Sequence, residues 1–180
     1  MRYTSVAEIF EVIDGTRQRV FDRVEGLTPD ELRARPNETA WSVAEIVEHL
    51  SIIEDRLLRM MTMMLTKAEG AGGAARPSNG PVEIKPFTLD HYIEKARNEK
   101  YSAPEALRPS GSRELADSLW SMRRSREELK SLRPRIEATD LSVVSYPHPA
   151  FGPLNFYEWL AFIGLHEERH LHQIESALAS

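Results

Sequence analysis

The sequence predicts an all-α fold, a four-helix bundle formed as a single domain over residues 1–180, and three observations predict it. Four long segments repeat apolar residues at the 3.6-residue period of an amphipathic helix. Most of them open on a side chain suited to capping a helix. No stretch keeps the strict alternation of a strand long enough to build a sheet.

The first helix is expected from about Val6 to Glu25, with Ser5 and Glu8 in the spacing of a capping box and Ile9, Phe10, Ile13, Val20, Phe21 and Val24 as its stripe. Gly26 stops it, and Thr28-Pro29-Asp30-Glu31 has the cap and first-turn proline of a short helical turn. The second helix follows Trp41: Ser42 and Glu45 repeat the box, and Ile46, Leu50, Ile53, Leu57, Met60, Met61 and Met64 share a face up to about Thr66. The methionines read as core and interface filler. From about residue 67 to 87 glycines and prolines accumulate, which predicts a long flexible loop, a lid or a disordered connection. A short helix fits Asp90 to Asn98. The third long helix fits Arg113 to Leu132, closed by Pro134. The three prolines of Ser145 to Pro153 predict a rigid, turn-rich connection, and Val143-Val144 before it reads as a short extended stretch without an evident partner. Asn155 and Glu158 then cap a last helix running to about Leu178.

Composition narrows the chemistry. A chain of 180 residues can bury a core without disulfides, and this one has no cysteine, which excludes cysteine nucleophiles and thiolate metal sites. The net charge of −5 is mixed along the chain, so neither nucleic acid nor an anionic membrane is an expected partner. The basic cluster Arg123-Arg124-Ser125-Arg126 is followed at once by Glu127-Glu128 and reads as a solvated helix face. With no apolar run of membrane-spanning length and no signal-peptide core, a cytoplasmic location is expected.

The last helix carries the chemical signal, His166-Glu167-Glu168-Arg169-His170-Leu171-His172-Gln173. At about 100° per residue, His166 and His170 fall on the apolar face with Trp159, Phe162, Ile163 and Ile174, and His172 turns outward beside Glu168 and Glu175. Two imidazoles on an apolar stripe need partners, and one metal ion satisfies both. His49, at the edge of the second helix's stripe, is the expected third ligand. Three histidines with one open position form the ligand set of a catalytic site, where bound water is acidified towards neutrality. The His-Glu-x-x-His spacing also occurs in zinc proteases, but an all-helical chain supplies no edge strand for a peptide substrate. Glu45 and His148 are alternative fourth ligands that would close the site. His91 and His148 otherwise read as surface or locally bonded residues, and Gln173 as a group on the ligand face that bonds substrate or water or fills a polar corner of the core.

Trp41-Ser42 before the helix that carries His49-Leu50, Pro109-Ser110 ahead of the third helix, His148-Pro149, Gly152-Pro153-Leu154, and the closing His166-x-x-x-His170-Leu171-x-Gln173-Ile174 together resemble the DinB/YfiT-like superfamily of metal-binding four-helix proteins. The resemblance implies an up-down-down-up bundle with long crossover connections, often a homodimer, and a zinc or nickel ion on His49, His166 and His170. It also implies a small-molecule substrate. Members of known activity include transferases and isomerases that use low-molecular-weight thiols. The Gly/Pro-rich segment between the second and third helices departs from the family pattern. The expected function is a metal-dependent enzyme, a thiol transferase or a hydrolase. The alternatives are a non-catalytic module with a structural ion and a metal-free helical dimerisation domain.

Overall fold

The structure, a computed structural model, describes residues 2–70, 83–98 and 103–180. Much of the expected 67–87 loop therefore lies outside the described residues. Four long helices dominate: α1 (Val6–Val24), α3 (Val43–Ala68), α5 (Leu115–Ser131) and α7 (Phe156–Leu178), with short helices α2 (Pro29–Arg33), α4 (Asp90–Asn98) and α6 (Arg133–Ala138) between them.

The caps work as their residue types predict. Ser42 Oγ accepts from Glu45 N–H at 3.3 Å while Ser42 N–H donates to Glu45 Oε2 at 2.7 Å, and Asn155 and Glu158 exchange the same pair at 3.0 and 2.8 Å. At Ser5 only half of the box forms. Glu8 reaches past it to the N–H and hydroxyl of Thr4.

The third long helix ends at Ser131, close to the expected Leu132, but Pro134 opens a further helix instead of closing this one. After α5, Leu132 caps a further helix, α6, in whose first turn Pro134 sits. A first-turn proline gives up an N–H that has no partner there, so it starts a helix as readily as it ends one. Two small antiparallel ladders also form: β1 (Arg2–Tyr3) with β2 (Phe87–Thr88), and β3 (Ser145–His148) with β4 (Gly152–Asn155). They are too short to register as a period of two. In the second, Pro147 faces Pro153, a pairing compatible only with a position that exchanges no ladder hydrogen bonds.

The closely packed pairs are α3 with α5, α1 with α7, and α3 with α7. Consecutive long helices α1 and α3 are not among them, which is why the chain needs extended connections. Gly164 lets α7 approach α1, because a Cβ there would lie 3.2 Å from the Ile13 side chain. The apolar stripes fill two clusters. One surrounds Phe10, Met61, Leu65 and Phe156, and the other surrounds Val20, Val47, Leu50 and Ile174. Among the described residues no helix is long and apolar enough to cross a membrane.

A charged layer crosses the middle of the bundle, with one residue from each long helix. Arg17 Nη2 lies 2.7 Å from Glu54 Oε1, Arg17 Nε donates to Glu167 Oε1 at 2.8 Å, and Arg126 Nη2 donates to the same oxygen at 3.1 Å. The guanidiniums also donate to backbone carbonyls across the core, Arg17 to Met122 at 2.6 Å and Arg126 to Ile13 at 2.7 Å. Arg126 thus departs from the solvated face expected of its cluster. It is 3% exposed, while Arg123 and Arg124 do face solvent.

Candidate metal centre

His49 sits in the second turn of α3, and His166 and His170 lie one turn apart on α7. Because α3 packs on α7, the three imidazoles meet, each offering a ring nitrogen, with all these atoms within 4.8 Å of one another. His49 and His170 are 3% and 6% exposed, and His166 is half-buried.

Neighbours fix which nitrogen faces the centre. His49 Nδ1–H donates to the Leu107 carbonyl at 2.7 Å, and His170 Nδ1–H donates to Gln173 Oε1 at 2.7 Å. Both rings are then the tautomer that keeps the Nε2 lone pair free. Outer partners of this kind orient metal-binding histidines and hold them in one tautomer. His166 Nε2 and His170 Nε2 lie 3.2 Å apart, with His166 Nε2–H as the donor when His170 holds its proton at Nδ1. Two nitrogens each about 2.0–2.1 Å from a tetrahedral ion would be separated by roughly 3.3 Å, so the spacing of the pair suits such an ion once His166 carries its proton at Nδ1.

Electrostatics favours the same form. Burial, reinforced by the neighbouring His49, lowers the pKa of His170 to about 3. Burial followed by His170 and His49 pushes His166 well below the usual histidine range, and burial lowers His49 despite its bond to Leu107. All three are neutral at neutral pH, the state that binds metal.

Aromatic rings border the centre. Trp41 lies 4.8 Å from His49 and stacks at 6.4 Å on His170, while Phe162 lies 6.4 Å from His166. His148 is not part of the three-residue group. It sits among Phe151, Trp159 and Phe162 at 4.5, 5.1 and 4.8 Å, accepts the Ala150 N–H at Nδ1, and is lowered to about 4 by burial. Glu45 is occupied by its cap and by Arg35, so neither candidate fourth ligand joins the histidines. His172 is exposed beside Glu168 and Glu175, and His91 is exposed on α4. The methionines divide as fillers do, with Met61 and Met64 buried and Met63 half exposed.

Glu167, the glutamate of the His-Glu-x-x-His run, is held by Arg17 and Arg126 in the charged layer. Burial pushes it up to about 7 against the pull of Arg17, and the Glu54 charge adds to the rise. Committed to two guanidiniums, it is not placed as the base of a zinc protease.

Comparison with known proteins follows the same lines. The profile of the DinB superfamily matches residues 13–174. The Bacillus subtilis (strain 168) protein YuaE is 27% identical over 171 residues, covering 91% of this chain and 93% of its own. Among solved structures, TT2238, a four-helix bundle protein, superposes with a TM-score of 0.61 at 20% identity over 98% of this chain and 100% of its own. YfiT from Bacillus subtilis, described as a probable metal-dependent hydrolase with an unusual four-helix bundle topology, gives 0.61 at 16% identity over 94% and 83%. At these identities the two structures speak for the fold.

Proposed function

Because this chain belongs to the DinB superfamily and brings three neutral imidazoles to one point, we propose that it is a divalent-metal-dependent enzyme acting on a small molecule, with His49, His166 and His170 as ligands. The observation that carries the proposal is the convergence itself, with Leu107 and Gln173 turning the Nε2 atoms of His49 and His170 towards a common centre. Zinc and nickel suit an all-imidazole set.

The absence of a fourth protein ligand among the described residues favours catalysis over a closed structural site. An ion there would supply Lewis acidity, lowering the pKa of water or of a thiol in the position left open. Trp41 and Phe162 border that region and would limit access of bulk water. The description of YfiT as a probable metal-dependent hydrolase supports the water reading. The lack of any cysteine in this chain is compatible with a thiol arriving as a low-molecular-weight substrate, the second reading.

Zinc- or nickel-loaded protein assayed against carboxylic and phosphate esters, and separately against a small thiol with an electrophile, tests both. Turnover is expected to require the metal and to fall at least about 100-fold in His170→Ala, in line with loss of a catalytic metal. Ester turnover would select hydrolysis, and thiol conjugation would select transfer. Full metal loading with neither activity would favour a structural ion.

A further inference from the structure

Next to the ligand His49 in sequence is Glu48, a glutamate only 4% exposed and paired with backbone rather than with solvent. Its Oε1 accepts from the Ser110 N–H at 2.9 Å and the Ser110 hydroxyl at 2.7 Å, and its Oε2 accepts from the Gly111 N–H at 2.9 Å. Three donors on one carboxylate offset the cost of burying it. Burial alone would raise the Glu48 pKa, but the Ser110 and Gly111 hydrogen bonds and the Arg113 charge outweigh it and hold the carboxyl below its usual range.

The backbone is shaped for this contact. Gly111 has a φ of +73°, and successive N–H groups at Ser110 and Gly111 meet the same carboxylate, as backbone amides do around a bound anion. A side chain at 111 would be strained by that φ and would bring its Cβ to 3.4 Å from Glu45 Oε1.

The clamped segment is the one that carries the carbonyl orienting His49. Leu107 closes the 3-10 turn Glu105–Leu107, three residues before Ser110. Two further contacts hold the same stretch on α3: Arg56 donates to the Ala106 carbonyl at 2.9 Å, and Arg113 donates to Ser51 Oγ at 3.0 Å. Glu48 itself touches no ligand nitrogen.

Resting on the metal-centre reading above, we infer that Glu48 is a positioning residue. By clamping Ser110 and Gly111 it keeps the Leu107 carbonyl on His49 Nδ1, and so presents His49 Nε2 to the ion. The connection ahead of α5 is thereby part of the metal centre, although it contributes no ligand.

The test uses full-length metal-free protein with 15N-labelled histidine, comparing wild type, Glu48→Gln and Ser110→Ala. Long-range 1H–15N correlation reads each ring's tautomer, and zinc titration reads affinity. Gln can accept at one oxygen but presents N–H to the remaining donor, so the clamp is broken without loss of side-chain volume. Wild-type His49 is expected as the Nδ1–H tautomer alone. In Glu48→Gln it is expected as a mixture, with zinc affinity lowered roughly 10–100-fold, the size of effect seen when outer-shell partners of metal ligands are removed. Ser110→Ala, which changes an exposed position outside the core, should shift both readouts the same way by less. His170, oriented by Gln173, should keep its tautomer in both variants.

The inference is overturned if His49 stays locked as Nδ1–H in both folded variants, or if zinc affinity stays within twofold of wild type. It is also overturned if His49 and His170 change together, because that would mark a general loosening. If wild-type protein binds no zinc, the metal reading falls while the tautomer comparison still decides whether Glu48 orients His49.

Discussion

Glu167→Ala is expected to destabilise the metal-free protein by about 3–5 kcal/mol in urea unfolding, the range for removing one partner of a buried ion pair. The side chain of Glu167 is 1% exposed and those of Arg17 and Arg126 are each 4% exposed. Truncation would leave two guanidiniums in the core with Glu54 as their only buried carboxylate among the described residues. A residue from every long helix meets in this layer, so the loss should be spread over the whole bundle. Replacing Arg17, Glu54, Arg126 and Glu167 together by Met and Leu should be far milder, near neutral or stabilising, because the cost comes from uncompensated charge. A small effect of Glu167→Ala alone would mean that the layer is hydrated and does not bind the helices.

Acid is expected to weaken the metal-free fold at a pH where most domains are near their optimum. His49, His148, His166 and His170 all have folded pKa values below the unfolded value of about 6.5, with His148 near about 4 and His170 near about 3. Between those limits the unfolded chain binds the extra protons, so unfolding free energy increases with pH. The stabilisation is complete above about 6.5 and is lost as pH falls towards the folded values. Each group can contribute up to about 1.4 kcal/mol per pH unit, discounted at the half-buried His148 and His166 by solvent screening. Glu167, raised to about 7, acts oppositely, its stabilisation of the folded state fading as pH rises towards neutrality. One carboxyl against four imidazoles leaves a net loss of stability as pH falls from 6.5 to 5. Zinc should stabilise strongly at pH 7 and little at pH 5, because protons compete for the same nitrogens. A flat profile for the metal-free protein would show that the histidines are solvated.

The parts of this architecture that could be read in the sequence are those governed by local periodicity. Capping pairs at Ser42–Glu45 and Asn155–Glu158 fixed helix starts to the residue, and the inward turn of His166 and His170 followed from their place among Trp159, Ile163 and Ile174. That His49 would meet them required packing of α3 on α7, which spacing alone suggests but does not impose.

The charged layer was missed although its signal was present. Arg17 follows Ile13 by four residues, Glu54 follows Leu50, Arg126 follows Met122 and Glu167 follows Ile163, each one turn beyond a buried stripe position. Four charges at inward positions, balanced in sign across four helices, are a pattern that could be sought. Leu107 and the Ser110–Gly111 turn left no such trace. A backbone carbonyl carries no sequence signature, and its contact with His49 spans residues 49 to 107. The β3–β4 ladder was hidden in the same way, because its four-residue strands contain prolines that read as breakers.

Metal content by plasma mass spectrometry tests the central claim most directly, using untagged protein purified without chelator, wild type beside His49→Ala, His166→Ala and His170→Ala. About one divalent ion per wild-type chain is predicted, as a single three-histidine site requires, with loss in all three folded variants. A wild-type chain that remains metal-free after incubation with zinc and nickel, or variants that retain a full complement, would contradict it.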